Sequence, residues 1–451
     1  MTSTHKGGTR LIAEFLASLS QRTLPAEVLD MARLCLADWL GVALGAANEP
    51  TAHIVRDTAV QWSNAGSSTV LLGGTASAPV AALCNGTLAH CLDFDDTYVK
   101  AIVHTSAPVW AATLAVGEST NASDAELLTA FVGGFEAAAR AGMGLGEMVT
   151  ARGWHGTGVF GRIGAAAAAS VLLKLDAAAS LHALGAAATQ ASGLTASFGT
   201  MAKPFHAGKA AMDGVIAAQL AARGFVAAKH LLDAGGGLDR ALIQDGTAQL
   251  QPPDFSSWEI LQNSFKPYAA CHLTHPAVDA AKSARTTLGQ SISAASINAE
   301  VGALALQVTG GKTGAPSTSL EAKFDLKYCI ALALHGQALS AATFREPWQC
   351  SAAVAATAAR INVTAAPDLG FASARLRVND GSTPSQFDVA VATGHPGSPL
   401  TWNDMSEKFL GLLPSDASAQ GHSLLAELRT FGTEPTRNAT ALLQRASRLI
   451  A

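Results

Sequence analysis

Charged side chains make up only 14% of this chain, against roughly a quarter in an average soluble domain. Of its 451 residues 49% are apolar, and the mean hydropathy is +0.24. So little charge implies either a membrane protein or an unusually large buried interior. No uninterrupted apolar segment approaches the ~20 residues that cross a bilayer. The best, Ile163 to Leu173, holds eleven residues, is rich in alanine and stops at Lys174, which predicts a buried helix. The stretch Leu11 to Leu19 is interrupted by Glu14 and lacks the basic-then-apolar layout of a secretory leader. The expectation is a soluble, cytoplasmic protein with no membrane partner.

Thirty Lys+Arg against 34 Asp+Glu, net −4, leaves no basic excess for a phosphate backbone, so nucleic acid is not an expected partner. The six cysteines include no C-x-x-C pair and no regular spacing, which implies neither a disulfide framework nor a zinc cluster. A low surface charge also suits a chain that buries part of its outer face against a second copy, and a homodimer is expected.

From about residue 9 to 265 apolar residues recur at three- and four-residue spacing with Ala and Leu between them, which predicts packed helices. Pro25 opens one of them, Ala26 to Leu44, as a first-turn proline can. Others are expected at Asp57 to Trp62, Val80 to Asp93, Ala107 to Ala115, Ala125 to Ala139, Gly161 to Leu173 and Lys209 to Arg223. After Lys266 the texture changes. Ile297 to Val308 alternates in part, and Ala374 to Val378 and Phe387 to Ala392 bracket Asn379-Asp380-Gly381, a hairpin-turn pattern. Helical texture returns beyond Pro399. The predicted fold is mainly α: a large all-helical domain formed by both chain ends, 1–265 and 399–451, with a smaller inserted α+β domain, 266–398.

Phosphate and dinucleotide motifs fail on inspection. Gly310-Gly311-Lys312-Thr313 would need a first glycine where Leu306 stands, and Gly142-Met143-Gly144-Leu145-Gly146 lacks a preceding strand. Nothing in the sequence demands a cofactor.

In so apolar a chain, ionisable residues inside helical texture are the informative ones, because burying them is costly unless they are paired or used. Five places stand out. The first is His90 to Thr97 (HCLDFDDT) followed by His104. On a helix His90, Asp93 and Thr97 would share a face, and Asp93 and His104 would form an acid/base pair. The alternatives are a solvated helix end, or a metal site whose spacing fits no standard set. The second is Gly153 to Gly158 (GWHGTG), which places His155 at a helix start beside free backbone N–H groups that favour a carboxylate, or else in a tight turn as a core histidine. The third is Met201 to Lys209, where Pro204 and Gly208 predict that Lys203 is presented from a loop. The fourth is Phe265 to Pro276 at the expected domain boundary, where Lys266 and His275 either converge on a charged substrate or sit in a rigid linker. The fifth is Lys323 to Cys329, carrying Tyr328, one of three tyrosines in the chain, as a proton donor or a half-buried interface residue.

Taken in this order the five stretches resemble the MmgE/PrpD family, whose hallmarks are L-D-F-D-D-T followed by a histidine, G-[FW]-H-x-T-G, a lysine ahead of an x-G-x-A-A helix, K-P-Y-x-x-C-x-x-x-H and K-F-x-L-x-Y-C. They stand here at 92–97, 153–158, 203–211, 266–275 and 323–329. The resemblance implies a helical domain made from both chain ends, a smaller lid domain, a dimer, and a cofactor-free, metal-free site between the domains that takes a small polycarboxylate. It implies Asp93, His104, His155, Lys203, His275 and Tyr328 as catalytic candidates, with Thr97 and Lys266 binding substrate. One departure is Thr105-Ser106, where many relatives have Pro-Ser or Pro-Gly.

The family's activities are 2-methylcitrate dehydration, cis-aconitate decarboxylation and iminodisuccinate epimerisation. Each needs cationic groups to spread charge developing beside a carboxylate, and a base or acid of suitable pKa to move a proton. The compact chain favours the epimerase, ahead of a dehydratase and then a decarboxylase. A non-catalytic helical binding protein would instead leave the five stretches dispersed in space.

Overall fold

The computed structural model describes residues 7–63, 65–233, 235, 237–248, 250, 252–289, 296–311, 315–379, 384–433 and 439–450. It is mainly α. Ten helices lead: α1 (Gly8–Ser18), α2 (Ala26–Gly45), α3 (Pro50–Ala59), α4 (Ala78–His90), α5 (Ser106–Thr120), α6 (Asp124–Gly142), α7 (Gly146–Ala151), α8 (Gly156–Leu172), α9 (Ala177–Ala188) and α10 (Ala202–Ala221). The helix predicted at Asp57 to Trp62 is the end of α3 and one following 3-10 turn.

The pairs α4 with α10, α8 with α10 and α6 with α8 form the centre of this helical part. Glycines at these contacts let the backbones come close. A Cβ on Gly134 or Gly164 would lie 2.6 or 2.7 Å from the other's carbonyl oxygen. Such proximity buries little apolar area per side chain and compensates with dense backbone-level packing.

Two-residue strands form ribbons, β1 (Ser68–Thr69) with β2 (Thr75–Ala76) and β3 (Thr97–Tyr98) with β4 (Asn263–Ser264). A four-stranded sheet follows, β5 (Ser296–Val301), β6 (Ile361–Ala365), β7 (Ala374–Asn379) and β8 (Ser385–Val389), in the order β6-β5-β7-β8. β5 runs parallel to β6 and antiparallel to β7, and β7 pairs antiparallel with β8 in the register Leu376 to Phe387. The first expected hairpin strand is present and the second lies at Ser385–Val389, two residues earlier than expected and ending before Ala392, while Asp380 and Gly381 of the expected turn lie outside the described residues. The helix His275–Leu288 packs on β7 and β8, and the helix Trp402–Leu412 returns to α2. Among the described residues no helix is long and apolar enough to cross a membrane.

Lys203 is the first correction. It lies in the first turn of α10, buried, and not in a loop. Pro204 is tolerated there because the first N–H groups of a helix have no intrahelical partner to lose. Gly208 continues the helix because its bare Cα is what lets α10 meet α4. Gly208→Ala would put a methyl 2.1 Å from Thr87 Oγ1 and 2.3 Å from the Leu83 carbonyl oxygen. We expect that substitution to cost about 2 kcal/mol, read as a lower urea-unfolding midpoint; an unchanged midpoint would refute this packing.

Candidate active site

The helix predicted through Asp93 stops at His90, and the chain turns out of α4 over Leu92–Thr97. His90, Asp93 and Thr97 therefore share no helix face. Asp93 takes a left-handed backbone, φ 50°, a conformation aspartate tolerates better than most residues. Three buried lysines hold this turn by successive carbonyls. Lys323 Nζ donates to Leu92 O (2.8 Å), Lys266 Nζ to Asp93 O (2.7 Å) and Lys408 Nζ to Phe94 O (2.7 Å).

The Asp93 side chain collects two of the cluster's positive charges. Its Oδ1 accepts from Lys203 Nζ at 2.7 Å and from Lys266 Nζ at 3.0 Å. Burial alone would push this carboxyl up, but the two ammonium groups outweigh it and hold it well below the usual carboxylate range. Lys203 Nζ also donates to His90 Nε2 at 3.0 Å. His90 Nε2 must then be the acceptor, which assigns its proton to Nδ1, where it is donated to Asp95 Oδ2 at 2.8 Å. Burial, opposed by Asp95 and reinforced by Lys203, takes this imidazole down to about 3.

His104 sits against the same acids, Nδ1 3.3 Å from Asp95 Oδ2 and Nε2 3.8 Å from Asp93 Oδ1, with its backbone N–H donated to Thr157 Oγ1 at 3.0 Å. Burial lowers its pKa against the pull of Asp95. His155 is the residue immediately before α8; its Nδ1 lies 3.1 Å from His206 Nδ1, and burial, then Lys203, hold it well below the usual imidazole value.

These groups surround a cavity of about 40 Å³ lined by Asp93, Thr97, His104, His155, Lys203 and His272, with Phe198, Phe324, Phe371, Ile102 and Val308 among its apolar walls. Its volume is far below the several hundred Å³ of a typical ligand pocket. Buried polar atoms without partners are rare in folded proteins. Here Asp93 Oδ2, Thr150 Oγ1, His155 Nε2 and His272 Nδ1 all lack one among the described residues, and all four residues line this cavity. That concentration is what a site for a polar ligand requires.

The structure thus gathers Asp93, Thr97, His104, His155, Lys203 and Lys266. It does not bring His275 or Tyr328 to the cavity. His275 lies one layer behind, its Nε2 donating to Ala270 O at 3.2 Å and its ring tilted against His272 at 4.7 Å. The 3-10 turn His272–Thr274 presents His272 in its place. Tyr328 lies on the helix Leu326–Leu334 and borders a separate depression with Gln337, Thr343 and Arg345. Its phenol is pushed up to about 12 by burial. Sequence reasoning passed over His206 and His272 and the supporting roles of His90, Asp95, Lys323 and Lys408. The shortage of charge was the signal that applied to all six.

His90, Asp93, Asp95 and His104 bring ligand-type atoms within 4.8 Å of one another. Lys203 Nζ already lies between two of them, within 3.0 Å of each, so the lysine supplies the cation that this donor set would otherwise collect.

The sequence matches the MmgE/PrpD N-terminal domain over residues 10–251 and the MmgE/PrpD C-terminal domain over residues 268–428. The chain belongs to the MmgE/PrpD family. Relatives within it include the cis-aconitate decarboxylases of Homo sapiens, 32% identical over 63% of this chain and 60% of that one, and of Mus musculus, 30% identical over 63% and 60%. That of Aspergillus terreus is 28% identical over 61% and 59%. The match thus spans about three-fifths of each relative's length. The gathered MmgE/PrpD segments belong to both matched domains, Asp93, His155 and Lys203 to the first and His272 to the second.

Two predictions follow from the electrostatics. Asp93→Asn removes the counterion of two buried lysines and should cost at least ~3 kcal/mol, measured by urea unfolding; a loss below 1 kcal/mol would mean the cluster is solvated. The second concerns acid. His90, His104, His155, His206, His272 and His275 all titrate lower folded than unfolded. As pH falls below ~6.5 the unfolded chain takes up protons that the folded chain refuses, and stability is lost. Asp96 and Glu136, both raised to about 7 by burial, act in the opposite sense but are fewer. The unfolding midpoint should therefore fall from pH 7 to pH 5, and a rise over that interval would contradict the neutral-histidine assignment.

Proposed function

We propose that this cavity takes a small polycarboxylate and that the protein acts on a bond beside one of its carboxylates, as a lyase that releases CO₂ from an unsaturated tricarboxylate such as cis-aconitate. The observation that carries the reading is the buried Lys203–Asp93–Lys266 cluster beside imidazoles that are neutral and still have unpartnered nitrogens. When the C–C bond to the departing carboxylate breaks, its electron pair delocalises toward a neighbouring carboxylate. Lys203, paired but at the cavity wall, would lie where that charge grows, and its burial strengthens the attraction. The carbanion then takes a proton from a ring N–H. His155 and His104 both face the cavity and are candidates for that step. Thr97 and His272 supply further polar contacts to carboxylates.

Compactness pointed toward iminodisuccinate epimerisation, but similarity to decarboxylases weighs more, because chain length says nothing about bond breaking. Epimerisation stays as the second reading for one reason. It needs one group to remove a proton and another to return it, and His155 and His272 line the cavity from different segments.

The test is parallel incubation with cis-aconitate, 2-methylcitrate and iminodisuccinate in D₂O. We expect CO₂ release from cis-aconitate with deuterium at the newly formed C–H bond. Deuterium exchange with loss of optical rotation and no CO₂ would replace this reading with epimerisation, water loss would replace it with dehydration, and no turnover of any of the three would end it. His155→Ala and Lys203→Ala should each lower kcat by at least ~100-fold with an unchanged far-UV spectrum; full activity in either removes that residue from the site.

A further inference from the structure

His206 belongs to none of the groups to which a role has been given so far, yet among the described residues it makes the one hydrogen bond that His155 has through its ring. It lies on α10 three residues after Lys203, so the same helix turn that brings the lysine to Asp93 brings this ring to His155. The Nδ1 atoms of the two rings are 3.1 Å apart. One must donate and the other accept, because two lone pairs or two protons cannot face each other at that distance. His155 is buried, and its Nε2 is unpartnered beside the cavity. His206 is half-buried, so it spans from the buried ring toward the outside. The crossing is also tightly covered. The backbone N–H of His155 donates to Gly193 O at 3.0 Å, and Gly193, at φ 107°, would place a Cβ 3.2 Å from His206 Nδ1 and 3.5 Å from His155 Cβ. A side chain at position 193 would therefore press on the two rings.

We propose that His206 is a positioning residue that donates its Nδ1–H to His155 Nδ1, thereby placing the His155 proton on Nε2 toward the cavity, and that it reloads that proton from solvent after each turnover. The proposal deepens the proton-transfer reading above and rests on it. In the step, the Nε2–H proton of His155 goes to the substrate carbon, whose electron pair forms the new C–H bond. The Nδ1–H proton of His206 passes to His155 Nδ1, and a solvent proton binds His206 Nε2. Exchange of tautomers in both rings then restores the resting arrangement. Each ring gains one proton and loses one, and no oxidant or further reactant is needed. A cavity of about 40 Å³ has little room for a chain of ordered waters, and the half-buried His206 offers a side-chain route in its place.

The charged groups facing His206 are Lys203 on its own helix and Arg162 from α8, the latter paired to Asp213 at 2.8 Å. Both disfavour a lasting positive charge on the ring, which suits a group that passes protons and does not store them.

The first measurement needs no substrate. Long-range ¹H–¹⁵N spectra of the resting protein should show His155 with its proton on Nε2; a proton on Nδ1 overturns the proposal, whatever the reaction proves to be. The second uses the best substrate of the parallel incubation. His206→Ala should lower kcat at least tenfold with KM changed less than twofold, flatten the pH profile of kcat, and recover part of the rate with added imidazole. His206→Asn keeps a donor near Nδ1 and should hold the His155 tautomer while still losing turnover. Wild-type kcat in either variant, or a loss that imidazole does not restore, overturns the relay. Failure of the polycarboxylate reading is distinguishable, since it shows in the wild-type protein as no turnover and leaves the spectra to decide the hydrogen bond.

Discussion

A single carboxylate, Asp93, sets the geometry around which the rest is arranged. Its turn is left-handed and buried, a combination that local preference alone would not maintain. What maintains it is charge brought from remote parts of the chain. Lys203 comes from α10, Lys266 from the segment after β4, Lys323 from the short helix Ser319–Lys323, and Lys408 from the returning helix Trp402–Leu412. Buried ion pairs often contribute little net stability, since desolvation offsets their attraction. Their value here is in specification. Each lysine, once buried, needs acceptors for its protons, and it finds them in the consecutive carbonyls of this turn, in the Asp93 and Asp38 carboxylates and in the His90 ring. The turn can therefore be built only when the helical part, the sheet-bearing part and the chain's return are all in position.

The same arrangement decides what the imidazoles can do. Burial is the main cause that keeps the nearby histidines from protonating, and the Lys203 ammonium pushes the same way, against the pull of Asp95 on His90. They are therefore neutral, each with one donor and one acceptor nitrogen, and the acceptor and donor roles are fixed by neighbours: Asp95 and Lys203 for His90, Ala270 for His275, His206 for His155. Neutral rings with an assigned tautomer are suited to moving a single proton, and lysines that already hold a counterion are suited to sharing charge with an incoming anion.

Much of this was legible in the sequence because charge is scarce enough for each buried ion to stand out. Each of the five stretches contributes to the cavity lining, through Asp93, His155, Lys203, His272 and Phe324. The errors came where local rules were read without their tertiary partner. Pro204 and Gly208 signalled a loop at Lys203, yet proline costs little in a first helical turn, and the glycine serves the contact with Thr87 and Leu83. The helical run to Asp93 gave no sign of ending at His90, since the turn that ends it is stabilised by lysines hundreds of residues away. His275 was preferred to His272 on motif alone; the 3-10 turn between them decides which ring faces inward. Tyr328 shares a helix with packed core residues, and sequence spacing does not reveal on which side of that helix the phenol emerges.

The ionic cluster also constrains where discrimination between substrates can reside. Lys203 and Lys266 share the one Asp93 carboxylate and hold the turn that builds the site, so changing any of the three to suit a different acid would cost the fold as well as the chemistry. The cavity wall carries no such burden. Ile102, Phe198, Val308 and Phe371 come from four separate segments, touch the enclosed space directly, and can change size one at a time at the cost of local repacking. An apolar wall distinguishes substrates differing by a methylene only about 10- to 200-fold. That is a modest ratio, but it suffices to shift preference among acids of similar shape. On the reading proposed above, a fixed ionic floor with an adjustable apolar wall is how such a site would be tuned from one small polycarboxylate to another.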